Sequence, residues 1–316
     1  MTRYIVRRLV AVPFMLLGIS FFLFMLLYIR PGSAAFAAIG SVGDADPRAF
    51  ENFEKRFGLD RPWYVQYGDW LWGALQGDMG ERLTPPHDDV MGDIIEVLPN
   101  TLEIGLLTIF ISSVVGVSVG VLSAVRRNSI LDYGFRGITI MGLSIPNFWL
   151  MILVIYLPAL WWGWTPARQW VVFTDEPIYN LSLAIWPAMT LGLASSAGIA
   201  RFTRTSMLEV LFSDYVRTAR AKGLRDRRVI WGHVFRNSLI PVITLLGLQL
   251  GGVLGGVVIA EQLFTVPGLG RLALEGVTDQ DYPVVLATIM VFAFVFIIVT
   301  LIVDILYTIV DPRIRY

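Results

Sequence analysis

The stretch IGLLTIFISSVVGVSVGVLSAV at residues 104–125 decides the fold, because it contains no Asp, Glu, Lys or Arg. A helix needs about 20 predominantly apolar residues to cross the hydrocarbon core of a bilayer, and this stretch exceeds that length. Further charge-free runs of comparable length occur at residues 9–29, 137–167, 177–200, 237–260 and 282–303. The sequence therefore predicts an all-α membrane protein with six transmembrane helices.

The composition of the 316 residues supports this prediction, since 55% are hydrophobic and 16% are charged. An average soluble domain has about 25% charged residues. The 25 basic residues balance the 25 acidic ones, so no overall basic excess indicates nucleic-acid binding. Cysteine is absent, which excludes disulfides and thiolate metal sites. The two histidines, His87 and His233, are too distant in sequence to form a local metal motif.

The first apolar run follows Arg3, Arg7 and Arg8, and a cleaved signal peptide ending near Ala35 is the alternative to a transmembrane helix. A signal peptide has an apolar segment of about 7 to 15 residues, which is shorter than the run at 9–29. We therefore expect an uncleaved N-terminal transmembrane helix.

The distribution of basic residues predicts the orientation, because cytoplasmic segments are enriched in Lys and Arg. With the N-terminus inside, the internal segments hold 17 basic and 5 acidic residues, and the external ones hold 8 basic and 19 acidic residues. We therefore expect a multi-pass protein of the inner (cytoplasmic) membrane, with both termini in the cytoplasm.

The same reasoning divides the chain into regions. The apolar spacing within residues 47–57 and 62–75 predicts helices in a small extracytoplasmic insert. The expected regions are an N-terminal transmembrane helix (1–30), the helical insert (31–100), a five-helix core with a cytoplasmic loop at 205–236 (101–310), and a cytoplasmic tail (311–316).

The chain has no motif for binding a nucleotide. A P-loop requires Gly-Lys followed by Ser or Thr, but Lys55 follows Glu54 and Lys222 follows Ala221. A His-Glu-x-x-His zinc motif is also absent. We therefore expect no catalytic residues, no metal site and no cofactor in this chain.

The most informative loop is RFTRTSMLEVLFSDYVRTARAKGLRDRRVIWGHVFR at residues 201–236, which holds nine basic and three acidic residues. Asp214 is placed to cap a short helix over residues 215–222, and Gly223 is placed to end it. The alternative is a loop that only fixes the topology. A short capped helix between two spans, however, has a shape suited to docking into a groove of another protein.

Within this loop, DYVRTARAKGL and the following HVFRNSLIP resemble the coupling loop of binding-protein-dependent ABC importer permeases, in the oligopeptide/dipeptide/nickel branch. The general pattern of such permeases is Glu-Ala-Ala, three residues and Gly, followed by Ile-x-Leu-Pro. This chain retains Ala219 and Gly223 but has Arg217 and Thr218 at the first two positions. The Leu-Pro pair falls at Phe235 and Arg236, and these departures resemble the peptide branch.

Other segments extend the resemblance over nearly the whole chain. Each is weak alone, but their order and spacing are specific. They are FGLDRPWYVQYGDWLWGALQGDMG, LPNTLEIGL, SIPNFWL, WPAMTLGL, VPGLGR, QDYPVV and the terminal DPRIRY.

The resemblance implies a type I ABC importer permease fold and a set of partners. These are a homologous second permease subunit, two ABC ATPase subunits that bind ATP and Mg, an extracytoplasmic solute-binding protein, and membrane lipid. It implies one half of a translocation path for di- or oligopeptides, without nucleic acid. The residues expected to contact the ATPase are Asp214, Tyr215, Arg217, Thr218, Ala219, Lys222 and Gly223.

Two further groups are candidates. The fifth run contains Gly-x-x-x-Gly spacings, which indicate either packing within the subunit or the seam with the partner permease. These glycines are Gly247, Gly251, Gly252, Gly255 and Gly256. Pro146 and Asn147 are placed to kink the third run and to line the path, and Asp304 is an ionisable residue in the last run.

Alternatives remain open. The same branch also imports nickel, glutathione or oligosaccharide, and the sequence does not decide the cargo. A self-sufficient secondary transporter would need buried ionisable residues in several spans, and only Asp304 is of that kind. A scaffold or receptor without transport activity would leave the loop at 205–236 without a purpose.

Overall fold

A computed structural model of the chain describes residues 2–29, 47–165 and 169–310. These residues form helices, connecting loops and an isolated antiparallel bridge between Glu81 and Asp89. In chain order, the helices are α1 (Thr2–Tyr28), α2 (Pro47–Phe57), α3 (Trp63–Gln76), α4 (Val90–Val125), α5 (Ile130–Ser144), α6 (Asn147–Trp162), α7 (Pro177–Leu211), α8 (Asp214–Ala221), α9 (Asp226–Val229), a π-helix (Ile230–Phe235), α10 (Arg236–Phe264), α11 (Leu269–Thr278) and α12 (Tyr282–Val310).

Several helices are suited to a membrane. Among the described residues, five are long and apolar enough to cross a bilayer, or up to seven if each bent helix pair counts as one span. The predicted all-α membrane fold is therefore confirmed. The long insert also has its expected helices, since α2 and α3 cover the segments where apolar spacing predicted them. Residues 31–46 of the predicted insert and the tail at 311–316 lie outside the described residues.

The third predicted span is broken within the charge-free run at 137–167. Helix α5 ends at Ser144, α6 begins after Pro146, and the two helix axes are bent by 100°. The cause is local, because a residue before proline is disfavoured in the α conformation, and Ile145 is extended with φ −90° and ψ 125°. The kink expected at Pro146 and Asn147 is confirmed. Residues 166–168 lie outside the described residues.

The helical residues form two compact units, and the first comprises Leu102–Val266 with the chain from Val299 onward. Its helices α4 and α7 approach closely at glycines. A Cβ built on Gly116 would lie 2.6 Å from the Ile199 Cβ atom, and one on Gly120 would lie 2.7 Å from the Ala200 carbonyl oxygen. Small residues let helix backbones pack at this distance. The Gly-x-Ser-x-Gly spacing at 116–120 therefore serves packing in mid-helix, unlike the strand-to-helix turn of a hydrolase nucleophile.

The second unit comprises Thr2–Thr101 and Pro267–Ile298. The sequence-based division had placed 267–298 with the five-helix core, whereas these residues pack with the insert. Asp281 illustrates the connection, since its buried carboxylate accepts hydrogen bonds from the Thr84 backbone N–H (3.1 Å) and hydroxyl (2.9 Å). The apolar core of this unit is formed by Val90, Ile94, Leu269, Leu272, Val284 and Ala287.

Candidate functional site

The short helix predicted within the basic loop is present as α8. It covers Asp214–Ala221, one residue earlier at each end than the sequence indicated. The residue before the helix is Ser213, with φ −70° and ψ 151°, so Asp214 lies in the first turn instead of capping it. An acidic residue in the first turn still interacts favourably with the helix dipole. Gly223 follows the helix with φ 78°, a conformation that glycine adopts without steric cost.

One face of α8 is buried against its own chain. The Val216 side chain is fully buried and Ala219 is 8% exposed. Ala219 was expected on the contact surface, but the structure places it on the inner face of the helix. The apolar cluster that holds this face consists of Val121, Ala124, Met207, Val216, Ala219, Val229 and Val234.

The opposite face of α8 is exposed and carries polar and aromatic groups. The Tyr215 side chain is 47% exposed. The Arg217 guanidinium lies 3.6 Å from the Asp214 carboxylate, and both side chains are largely in solvent. An exposed ion pair of this kind contributes little to stability. The remaining exposed residues of the predicted contact set are Thr218, Lys222 and Gly223. Six of the seven predicted residues are therefore accessible together.

After α8, a short turn at residues 222–225 leads into α9, from which the chain is continuously helical to the end of α10. The Arg220 Nε atom lies 3.3 Å from an Asp226 carboxylate oxygen, which joins α8 to α9. The π-helix continues directly from α9 into α10, and it contains Trp231 and His233. Helical turns of this type occur frequently at functional sites. The local sequence carries no signal for this wider turn.

A buried ion pair in the same unit was also missed. The fully buried Asp132 carboxylate accepts two hydrogen bonds from Arg204, from Nε at 2.9 Å and from Nη2 at 2.9 Å. It also accepts bonds from the Ser123 hydroxyl and the Asn128 backbone N–H. The pair connects the first turn of α5 to the part of α7 that leads into α8. The available signal was an isolated acidic residue in an otherwise basic internal segment.

The glycines of α10 do not share one environment. No described atom lies within 4 Å of a Cβ built on Gly252 or on Gly255. A Cβ on Gly256, by contrast, would lie 2.9 Å from the Leu191 Cδ2 atom of α7. Gly247 and Gly251 lie on the same helix and are partly exposed.

The residues predicted to line the translocation path lie in two separate parts of the chain. Pro146 and Asn147 are exposed at the break between α5 and α6. Asp304 lies in α12, and its side chain is outside what the structure describes.

Comparison with known proteins gives matches over both halves of the chain. Residues 116–316 match the family described as binding-protein-dependent transport system inner membrane component, and residues 1–104 match the corresponding N-terminal family. The oligopeptide transport system permease protein AppB of Bacillus subtilis (strain 168) is 40% identical over 323 residues, covering 100% of both chains. The dipeptide transport system permease protein DppB of Escherichia coli (strain K12) is 38% identical over 339 residues, covering 100% of this chain and 99% of that protein.

A solved structure gives the fold independently. A chain of the MetNI methionine ABC transporter superposes with a TM-score of 0.57 at 17% identity, covering 70% of this chain and 97% of that one. A chain of an amino acid ABC transporter superposes with a TM-score of 0.52 at 15% identity, covering 71% and 94%. These likenesses confirm the predicted type I importer permease fold.

Proposed function

The chain belongs to the family of binding-protein-dependent transport system inner membrane components, and from this premise we propose that it forms half of the translocation path of an ATP-driven peptide importer. It is a multi-pass protein of the inner membrane. The observation that carries the proposal is α8, which is anchored on one face by its own chain and exposes a polar and aromatic surface on the other.

Peptide is the proposed cargo. The names of AppB and DppB, each at least 38% identical over the full chain, support this choice. A zwitterionic peptide carries two charges, each costing about 2.5 to 3.5 kcal/mol at the membrane centre on the insertion scale. Such a solute therefore needs a hydrated path between helices.

The break at Pro146 and Asn147 is proposed to line this path. Irregular backbone at membrane depth is tolerated only where it is buried in protein or faces a water-filled cavity. Both residues are exposed in this chain, so a partner subunit or water must cover them. Asp304, in the last spanning helix, is the proposed ionisable group of the path.

The proposed energy source lies on separate polypeptides. Two ATPase subunits would bind ATP and Mg, and this chain would hold no cofactor and catalyse no reaction. The exposed face of α8 would fit into a groove of an ATPase subunit, with Asp214, Tyr215, Arg217, Thr218, Lys222 and Gly223 at the contact. Movement there would reach α9 through the short turn at 222–225 and the contact between Arg220 and Asp226, and α10 through the π-helix, which joins α9 to α10 without a break.

The proposed topology has both termini in the cytoplasm, together with α8 and its basic loop. The excess of basic over acidic residues in the internal segments supports it. A solute-binding protein would then deliver cargo on the opposite side of the membrane. A homologous second permease would complete the path along the exposed glycines of α10.

Reconstitution into liposomes tests the proposal. The complete complex, with its binding protein, is expected to import a labelled dipeptide only with ATP, and this chain alone is expected to import none. Import by the isolated chain under an ion gradient would instead establish a secondary transporter. Import of nickel, glutathione or an oligosaccharide in place of peptide would overturn the proposed cargo.

A further inference from the structure

A cleft of about 310 Å³ lies between α4, α5 and α7. Its lining includes three arginines, Arg136, Arg201 and Arg204, which come from two different helices. Hydroxyl side chains and apolar side chains complete the wall. They include Ser123, Thr139, Thr205, Val119, Phe135 and Ile140.

The charge of this cleft is only partly compensated. Asp132 binds Arg204 through Nε and Nη2, which leaves the Nη1 group of that arginine outside the bidentate pair. Arg136 and Arg201 are exposed, and among the described residues no carboxylate lies within 4.0 Å of either guanidinium. The Arg136 guanidinium lies over the Tyr133 ring, 5.7 Å from its centroid. The cleft therefore carries net positive charge.

The position of the arginines along the chain sets their depth in the membrane. Arg136 directly precedes the charge-free run at 137–167, and Arg201 directly follows the one at 177–200. The two residues thus lie where spanning segments meet the polar surface, which is the depth of lipid headgroups. Basic pockets between spanning helices at this depth bind anionic lipid headgroups.

The shape and chemistry of the cleft agree with a phospholipid. Guanidinium groups donate paired hydrogen bonds to phosphate oxygens. Phe135 and Ile140 offer apolar surface beside the arginines, as an acyl chain requires. A free phosphate would use the arginines but not this apolar wall.

We propose that the cleft between α4, α5 and α7 is a binding site for the phosphodiester headgroup of an anionic phospholipid. Arg136 and Arg201 bind the phosphate. Arg204 donates its remaining N–H groups to the phosphate, and its pair with Asp132 holds the Arg204 side chain in position at the cleft. The site is independent of the cargo and of α8, so its failure would leave the proposed transport function untouched.

Native mass spectrometry of the full-length chain, purified from nanodiscs of phosphatidylglycerol and phosphatidylcholine, tests this site. The double variant Arg136→Gln/Arg201→Gln is expected to retain phosphatidylglycerol about tenfold less than the unmodified chain, because each basic residue contributes to headgroup binding. The matched control is Arg227→Gln/Arg228→Gln, which removes the same charge from exposed residues outside the cleft. The control is expected to retain the lipid at the unmodified level.

A lysine variant and a melting-temperature measurement test the site even if the glutamine variant folds poorly. Arg136→Lys/Arg201→Lys keeps both charges but loses the planar paired donors, and intermediate retention is expected. The melting temperature of the unmodified chain is expected to rise in phosphatidylglycerol relative to phosphatidylcholine. Equal retention by the glutamine variant and its control would overturn the proposal. An equal rise in melting temperature with inorganic phosphate alone would also overturn it, because the ligand would then be a free anion.

Discussion

Two pairs of glycines with related spacing behave differently in this molecule. Gly116 and Gly120 of α4 press against α7, where an added Cβ would meet backbone and Cβ atoms at 2.6 to 2.9 Å. Gly252 and Gly255 of α10 face open space within the chain. The exposed stripe continues on both sides of them, with Leu248 76% exposed and Ile259 42% exposed. Glycine spacing thus identifies a close-packing face, but only the three-dimensional contacts tell whether the partner helix belongs to the same chain.

The largest effect is expected at the internal pair. Gly120→Leu would place a side chain against the Ala200 carbonyl and the Thr203 Cβ atom, neither of which can move far. Overpacking of this kind costs about 3 kcal/mol or more. We expect the free energy of unfolding of the chain to fall by that amount in detergent titration.

The matched control is Gly134→Leu in α5, where no described atom lies within 4 Å of the added Cβ. It is expected to leave the unfolding free energy unchanged. Equal stability of the two leucine variants would contradict the close packing of α4 against α7.

The next effect concerns assembly and not folding. Gly252→Leu/Gly255→Leu is expected to leave unfolding of the isolated chain unchanged, because the leucines meet open space. If this face is the seam with the second permease, the leucines prevent close approach of the helices, and co-purification of that subunit is expected to fall about tenfold.

Quantitative mass spectrometry of the purified complex measures this loss, again with Gly134→Leu for comparison. A fall in the stability of the isolated chain would show that the stripe packs internally. Undiminished co-purification would remove the stripe from the permease interface.

The smallest effect is expected at Gly256, whose surroundings are less rigid than those of Gly120 and less open than those of Gly252. Its added Cβ would lie 2.9 Å from Leu191 Cδ2, the end of a flexible side chain. Gly256→Ala is therefore expected to lower the unfolding free energy by about 1 kcal/mol or less. A loss as large as that of Gly120→Leu would mean that Leu191 cannot shift.

Patterns that depend on neighbouring residues were predictable from the sequence. Charge-free runs located the long apolar helices, and Pro146 indicated the kink because proline restricts the residue before it. The short helix before Gly223 also followed from local signals, with an error of one residue at each end. The size of the bend at Pro146 did not follow, because tertiary packing sets the angle between two helices.

Contacts between distant residues were not predictable. Ala219 matches the expected motif, but in the structure it belongs to the same buried apolar cluster as Met207. Only this burial shows that the Ala219 side chain faces its own chain. The bond between Asp132 and Arg204 joins residues 72 positions apart. The Gly116 and Gly120 spacing was visible in the sequence, but nothing there distinguished it from the spacing in α10.

The central claim is that the exposed face of α8 couples this chain to separate ATPase subunits. The most direct measurement is ATP-driven dipeptide uptake by the reconstituted complex carrying Tyr215→Ala/Arg217→Glu, two changes on the exposed face that leave Val216 and Ala219 in place. The control is Arg126→Glu, an exposed basic residue in the turn after α4, outside α8 and the segment that joins it to α10. Uptake is expected to fall about tenfold or more in the double variant, as truncation of interface anchors does, and to persist in the control with equal amounts of chain in the membrane. Undiminished uptake by the double variant would contradict the account.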